Sequence, residues 1–213
     1  MNFNEFKTRV QGLPVILTRE LIRGRPDRQI IRNQIERWGK KGLVIQLKRG
    51  IYMLSKADRK IEPSKPYIAN QLYSPSYVSL EYALGYYGLI PEKVHDVTSI
   101  STKKTITMTS EIGTFIYQHV KPAAFRGFTA IRDDQGLASF IAEPEKAVVD
   151  FVYLNLERFK PGDRAVFAES YRFQNTEDLK PEKLKRYAGL FNSKKLMRVI
   201  DGLAAIIAGG EAA

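Results

Sequence analysis

Glycine and proline divide the first 55 residues, and this punctuation constrains the fold more than any other feature of the sequence. Three helix candidates, over residues 4–11, 18–23 and 26–41, end at Gly12, Gly24 and Gly42. Pro26 stands where a first helical residue belongs, because its missing N–H has no partner at that position in any helix. Alternating apolar residues over 43–47 and 51–54 predict two strands that flank the turn Lys48-Arg49-Gly50. The predicted order is therefore helix, helix, helix, hairpin.

The third helix has one apolar and one polar face. At about 100° per residue, Ile31, Ile35 and Trp38 fall within one narrow arc and face inward. The outward face is nearly free of acidic residues, and Arg, Gln and Asn can each pair two atoms of a base edge while flanking cations contact phosphates. The residues predicted to contact DNA are Arg25, Arg28, Gln29, Arg32, Asn33, Arg37, Lys40, Lys48 and Arg49. Residues 1–55 thus read as a winged helix-turn-helix DNA-binding domain with the hairpin as its wing.

Within this set the residue types predict a division of labour. Gln29, Arg32 and Asn33 are expected to read bases in the major groove. Arg28 and Arg37 flank them and are expected to contact phosphates, as are Lys48 and Arg49 at the tip of the wing.

The charge of the chain is concentrated in the same segment. Residues 1–60 contain 15 Lys and Arg against 5 Asp and Glu, whereas the rest of the chain carries only +1 of the net +11. Such asymmetry indicates a polyanionic partner for the N-terminal segment. Charge alone leaves nucleic acid, a membrane surface and a merely solvated surface open. RNA is less favoured than double-stranded operator DNA, because no strand carries the aromatic platform of an RNA-recognition motif.

A charged, proline-bearing stretch over 56–66 has the composition of a linker between this domain and a second one over 67–213. Strands are predicted over 96–103, 105–109, 113–120, 128–132 and 137–141, and helices over 144–156, 163–172, 181–190 and 193–208. The predicted fold class is α+β. It consists of an N-terminal winged helix-turn-helix, then a mixed domain of mainly antiparallel sheet and a C-terminal helical cluster.

Several features of the sequence indicate the cellular environment of the protein. It has no Cys, which excludes disulfides and thiolate zinc sites. The first ten residues are polar and interrupted by charges, unlike a signal peptide, and no run approaches the ~20 apolar residues that span a bilayer. We expect a cytoplasmic protein without a membrane partner.

Candidate catalytic and metal sites are weak. Asp133 and Asp134 are adjacent, so they would face opposite sides of a strand, and a turn over 133–136 explains them better. Before Lys146, the position that a restriction-type nuclease fills with a metal ligand is Pro144. His95 and His119 are too far apart to suggest a metal site, and no glycine-rich phosphate loop occurs. We expect no catalytic residue, metal or cofactor and no enzyme, with a nucleic-acid-processing enzyme targeted by a winged helix as the alternative.

The C-terminal helices carry a second group of basic residues. They are Lys183, Lys185, Arg186, Lys194, Lys195 and Arg198. A second nucleic-acid surface and an ordinary solvated helix face both remain open.

Several blocks of the sequence resemble the AbiEi family of antitoxins, transcriptional regulators of type IV toxin–antitoxin systems that act in abortive phage infection. The blocks are SYVSLEYALGYYGLIP at 76–91, TSISTKK at 98–104, GTFIYQHVKP at 113–122 and EPEKA at 143–147, with Gly42-Leu43 and Arg49-Gly50-Ile51-Tyr52 in the N-terminal segment. The likeness extends over the chain to about residue 155.

This resemblance implies that the winged helix represses the protein's own operon. It also implies that the C-terminal domain counteracts a neighbouring nucleotidyltransferase-type toxin, which in such systems need not involve direct contact. A stand-alone transcriptional regulator without a toxin partner is the alternative. The sequence leaves the oligomeric state open, monomers on repeated sites included.

Overall fold

The structure is a computed structural model that describes residues 1–160 and 166–209. The start of the helix predicted over 163–172 lies outside these residues. The helices are α1 (Phe3–Val10), α2 (Thr18–Leu21), α3 (Arg28–Lys40), α4 (Lys65–Leu72), α5 (Leu80–Tyr86), α6 (Pro144–Leu154), α7 (Pro181–Gly189) and α8 (Lys194–Ala208). The strands are β1 (Ile16–Leu17), β2 (Val44–Lys48), β3 (Ile51–Leu54), β4 (Ser76–Val78), β5 (Val97–Ser101), β6 (Ile106–Ser110), β7 (Gly113–His119), β8 (Phe128–Arg132) and β9 (Ala138–Ala142). The predicted α+β class is confirmed.

The first three helices enclose a small core beside a three-stranded antiparallel sheet of order β1-β3-β2. The apolar face predicted for α3 is buried, and Trp38 packs 4.7 Å from the ring centre of Phe6 on α1. A capping box fixes the start of α1, in which the Asn2 side chain accepts from the Glu5 N–H at 2.9 Å and the Glu5 carboxylate accepts from the Asn2 N–H. Helix and hairpin are thereby joined by a single apolar layer.

The start of α3 differs from the prediction. The carbonyl of Asp27 accepts the first helical hydrogen bond, from the N–H of Ile31 at 3.1 Å, so the helix begins at Arg28 and Pro26 lies in the preceding loop. Thr18 stands at the start of the second predicted helix, where a hydroxyl side chain predicts an N-cap, and this prediction is wrong. Leu17 precedes α2, and among the described residues the buried Thr18 hydroxyl has no hydrogen-bond partner.

A six-stranded sheet of order β6-β7-β5-β4-β9-β8 forms the centre of the second part of the chain. Its β5–β7 and β4–β9 pairs are parallel and the other neighbouring pairs are antiparallel, so the sheet is mixed. Helix α4 packs on β4 and β9, and α5 packs on β5. Helices α6, α7 and α8 pack on one another, with α6 also against α5. These three form the C-terminal helical cluster.

The hairpin belongs to both parts of the molecule. Val44 and Leu54 enter the small core of the first helices, whereas Leu47, Ile51 and Met53 enter the large core around the six-stranded sheet. This follows from the alternation of side chains in β2 and β3, which sends successive residues to opposite faces. Consequently the N-terminal helices are fixed to the sheet through shared apolar packing as well as through the chain. Helix α4 moreover begins at Lys65, within the predicted linker.

Candidate nucleic-acid interface

Helix α3 presents a polar outer face to solvent. The side chains of Arg28, Gln29, Arg32, Asn33, Glu36, Arg37 and Lys40 are exposed, whereas Ile31, Ile35 and Trp38 are buried beneath them. The helix thus positions the predicted side chains because its inner stripe is anchored in the core.

Two pairs of side chains organise this outer face. The Gln29 amide donates to the Asn33 amide oxygen at 2.9 Å, one helical turn away. Glu36 and Lys40 form an exposed ion pair with 3.8 Å between Nζ and Oε1. The first pair aligns two amides that can both reach a base edge, and the second places a carboxylate beside the Lys40 ammonium.

Arg25 lies apart from the other predicted contacts. It precedes α3, and its guanidinium donates two hydrogen bonds to the Asp27 carboxylate, at 3.0 and 2.9 Å. These hydrogen bonds and the charge of Asp27 raise the pKa of Arg25, while the guanidinium lowers the pKa of Asp27. Arg28 in turn donates from Nε to the Arg25 carbonyl at 3.0 Å. Arg25 therefore closes the loop before the helix and is already paired.

The hairpin tip turns towards the body of the protein. Arg49 and Gly50 form a two-residue turn in which Gly50 adopts φ 87°, a conformation that favours glycine, and the Gly50 carbonyl accepts from the N–H of Thr18 at 2.9 Å. Arg49 is exposed. Lys48 is half-buried and its ammonium donates to the carbonyl of Leu72, at the end of α4. Lys48 therefore differs from the expectation of a solvent-facing cation at the tip.

A cleft of about 1020 Å³ separates the outer side of α3 from the end of α4. The predicted base-reading residues Gln29, Arg32 and Asn33 line one wall, and 71–74 line the other. Its cationic lining residues are Arg19, Arg32, Lys48, Arg49 and Lys103, and among the described residues Glu36 supplies the one carboxylate that lines it. A concave surface with this excess of positive charge attracts polyanions.

The cations at the base of the cleft influence one another. Burial lowers the pKa of Lys48, and the neighbouring charges of Lys103 and Arg19 lower it further. Lys103 also donates to the Ser74 carbonyl, and its Nζ lies 5.3 Å from the ring centre of Tyr73. Three parts of the chain thus bring like charges together, and a bound phosphate would reduce the repulsion between them.

Arg19, Lys103 and Ile30 were missed by the sequence analysis. Arg19 lies in the short helix α2, and Lys103 lies 71 residues beyond Arg32, so only the tertiary fold brings them to the cleft. Ile30 is 61% exposed beside the polar face of α3. A helical projection alone could have found it, because it lies seven residues before Arg37 on the same surface.

The basic residues of the C-terminal helices are partly neutralised. Lys183 contacts the carboxylates of Glu143 at 2.6 Å and Glu145 at 3.8 Å, and Lys185 lies 3.3 Å from Asp201. Arg186 donates to the Tyr187 hydroxyl at 3.1 Å. Lys194, Lys195 and Arg198 are exposed on α8. The acidic partners lie up to 40 residues away in sequence, which is why the local run of positive charge overstated the positive surface.

Asp133, one of the acidic residues considered for catalysis, stabilises a turn. Asp133 accepts from the N–H groups of Ser64, Gln135 and Leu137 at 2.9 to 3.0 Å, so the predicted turn over 133–136 is confirmed. Partial burial raises the pKa of Asp133, but these hydrogen bonds together outweigh it and hold the pKa below its usual value. In residues 1–160 and 166–209, no three His, Asp or Glu side chains are grouped to hold a metal ion. Nor does any helix of these residues have the length and apolar character to cross a membrane.

No protein-family model matches the chain, and no curated protein matches it. The resemblance to AbiEi antitoxins rests on the sequence blocks alone, and the function that it implies is a proposal.

Proposed function

We propose that the protein is a DNA-binding transcriptional repressor whose residues 1–55 act as a winged helix-turn-helix. The observation that carries this proposal is the outer face of α3, where Gln29, Arg32 and Asn33 stand exposed along a cleft lined by five cations and one carboxylate. Arg, Gln and Asn are the side chains that pair two atoms of a base edge in the major groove. The surrounding cations supply the sequence-independent attraction to phosphates.

In this proposal α3 enters the major groove of operator DNA. Arg32 reads a guanine and the paired Gln29 and Asn33 amides read adenine, while Arg28, Arg37 and Arg49 contact the flanking phosphates. Lys48 acts from the floor of the cleft and not from a projecting tip, because its ammonium is held at the Leu72 carbonyl. Arg19 and Lys103 extend the positive surface beyond the helix.

A second element of the proposal is that the protein is the antitoxin of a type IV toxin–antitoxin system. The AbiEi-like blocks over 76–147 support it, and they include strands and helices of the six-stranded sheet. The repressor would then control its own operon, and the part of the chain beyond residue 66 would counteract a nucleotidyltransferase-type toxin. A stand-alone regulator is the alternative, which an operon without a toxin gene would favour.

DNA binding is tested with the full chain and the DNA upstream of its own gene, with a shuffled sequence as the comparison. Fluorescence anisotropy should show tighter binding to the upstream DNA and an affinity that falls steeply with salt, because several cations displace condensed counterions. Arg32→Ala should weaken specific binding about 5- to 150-fold and relax base preference locally. Lys93→Ala, which removes an exposed cation outside the cleft, is the matched control. Binding that is absent or independent of salt would refute the proposal.

The antitoxin role is tested by co-expression with the toxin gene of the same operon. The wild type should restore growth, and Arg32→Ala should lose repression of a promoter reporter while still restoring growth. If loss of repression and loss of protection always coincide, protection is a consequence of DNA binding alone and the proposed second activity is wrong.

A further inference from the structure

An aromatic groove lies beside the basic cleft. Its volume is about 380 Å³, and its apolar wall consists of Pro75, Phe125, Phe128, Ala138 and Phe140. Pockets of about 300 to 1,000 Å³ with apolar walls and a few polar groups are the usual size for small organic ligands. The tertiary fold assembles this wall from the segment before β4, the segment before β8, and the β8–β9 hairpin, so no single strand shows an aromatic pattern.

Phe140 is held in an exposed position at this groove. Its side chain is 47% exposed, although Ser139 and Ile141 on either side of it are buried. The Phe140 N–H donates to the Asn70 side-chain oxygen at 2.6 Å, and the ring packs edge-on against Phe128 with 5.6 Å between ring centres. Phe128 stacks in turn on the buried Tyr77 at 4.7 Å. The contacts with Phe128 and Asn70 therefore hold the Phe140 ring at the surface, where it can pack against a flat apolar ligand.

The groove is continuous with the cleft. Gln71 and Ser74 line both of them. The carbonyl of Ser74 holds the ammonium of Lys103, which lies in the wall of the cleft. Within the described part of the chain, the side-chain amide of Gln71 makes no hydrogen bond. From the cleft to the groove, the surface therefore presents the Lys103 ammonium, then the half-buried Gln71 amide, then the aromatic rings of the groove.

We propose that the groove holds an unpaired nucleobase of a nucleic-acid strand whose phosphates follow the cleft. Phe128 and Phe140 offer ring faces and edges to a base of any sequence, Gln71 can pair with the edge of that base, and Lys103 contacts the adjoining phosphate. This inference rests on the proposed nucleic-acid binding and adds to it the form of the ligand, a duplex with a single-stranded extension. DNA and RNA share the chemistry that the groove recognises.

The test compares one labelled duplex in three forms, blunt, with a short single-stranded DNA extension, and with the same extension in RNA. An extension should tighten binding to the wild type about 5- to 150-fold, the range expected when a base stacks on an aromatic side chain. Phe140→Leu keeps an apolar side chain and should abolish this gain, whereas Phe140→Tyr should retain it. Ile106→Ala removes an exposed apolar side chain on β6, at the far edge of the sheet, and should have no effect.

Photo-crosslinking of an extension that contains thiouridine or thiothymidine gives a direct second readout. The cross-link should map to the peptides that contain Phe128 and Phe140. Equal binding of blunt and extended duplexes overturns the base site and leaves the proposed repressor intact, whereas no binding of any form overturns both. Phe140→Leu weakening all three forms equally also overturns the base site. The base site is also wrong if Phe140→Leu changes the oligomeric state in light scattering but leaves the binding of all three duplexes unchanged. The groove would then join copies of the chain.

Discussion

Lys146 and Asp150 form an ion pair across one turn of α6, and neither side chain is reached by solvent. The other carboxylate oxygen of Asp150 accepts hydrogen bonds of 2.9 Å from the hydroxyls of Tyr77 and Ser79. The Lys146 ammonium lies 4.8 Å from the ring centre of Phe191, just beyond α7. Burial raises the pKa of Asp150 and lowers that of Lys146, and each charge opposes the change in the other. This network ties β4 and the start of α5 to the C-terminal helices.

Removing one charge of the pair should lower the free energy of unfolding more than removing both charges. Asp150→Ala leaves a buried ammonium without a counter-charge and should lower the free energy of unfolding by about 3–5 kcal/mol. The double variant Lys146→Met, Asp150→Asn removes both charges and should recover much of that loss. Urea denaturation followed by circular dichroism measures all three proteins. If the double variant is as unstable as the single one, the ion pair itself stabilises the fold and its removal is not neutral.

Ile30 should contribute to the DNA interface through its apolar side chain. It is 61% exposed on α3, close to the surface of Arg37, where it can contact a thymine methyl group. Ile30→Ala should weaken operator binding by about 1 kcal/mol, roughly fivefold, with little change in thermal stability. Anisotropy against the operator and against a thymine-to-uracil duplex checks this, because the uracil duplex should remove the difference between wild type and variant. An unchanged affinity would show that α3 binds on its cleft side only.

Lys103 should act on phosphates although it lies far from the N-terminal helices in sequence. Lys103→Ala should reduce the slope of log affinity against log salt by about 1 and should weaken all duplexes alike. Lys104→Ala removes the neighbouring exposed cation, which does not line the cleft, and is the matched control. A salt titration of both variants separates them. Equal effects of the two substitutions would indicate a diffuse surface charge and no defined role for the cleft.

Local periodicity was sufficient to predict the faces of α3. The inward arc of Ile31, Ile35 and Trp38 depends only on the helical repeat, and the structure buries all three. The start of the helix was misplaced because Pro26 suits a first helical turn, whereas the Arg25–Asp27 pair and the Asp27 carbonyl determine where the first turn closes. These specific contacts determine the start of α3 more strongly than the helix-start preference of proline does.

Long-range packing determines what the sequence could not show. The apolar residues of β2 and β3 predict a hairpin, but not that Leu47 and Met53 enter the core of the six-stranded sheet. That packing draws Lys48 to the carbonyl of Leu72 and turns the hairpin tip into the wall of a cleft. In the same way, Lys183 meets Glu143 only because α7 packs against α6.

Stability should fall at alkaline pH through buried tyrosines. Burial raises the pKa of Tyr87 to about 12, with smaller contributions from Tyr86, Glu143 and Glu145. Above its ordinary pKa near 10 the unfolded chain releases this proton while the folded chain retains it, so the free energy of unfolding decreases as pH rises from about 10 through about 12. Burial also raises the pKa values of Tyr77 and Tyr117, which adds to the loss.

Tyr87→Phe separates this effect from the hydrogen bond that the hydroxyl donates to the Ala142 carbonyl at 2.8 Å. Near pH 8 the variant should be less stable by about 1 kcal/mol. Near pH 11 its difference from the wild type should shrink, because the proton linkage at this position is gone. Urea titrations at both pH values measure the change, with Tyr52→Phe, at a half-buried side chain that does not affect the pKa of Tyr87, as the control. A constant difference between wild type and Tyr87→Phe would contradict the prediction.

Separation of the chain near residue 60 should destabilise both fragments, because the hairpin belongs to both cores. A 1–60 fragment keeps the small core around Ile31, Ile35 and Trp38, but exposes Leu47 and Met53. A 61–213 fragment loses the apolar cover that these two side chains supply. We expect both fragments to melt at lower temperatures than the full chain, and the 1–60 fragment to self-associate.

Substitution of the two side chains tests the cause. Leu47→Gln with Met53→Gln should make the 1–60 fragment more soluble and monomeric in sedimentation experiments, because its exposed face becomes polar. In the full chain the same double substitution should lower the free energy of unfolding by at least about 2–5 kcal/mol, since it removes buried apolar contacts and places amides in the core. Thermal denaturation of the full chain, the two fragments and the two doubly substituted proteins gives the comparison. A 61–213 fragment that melts at the temperature of the full chain would show that the shared packing contributes nothing to the stability of the six-stranded sheet.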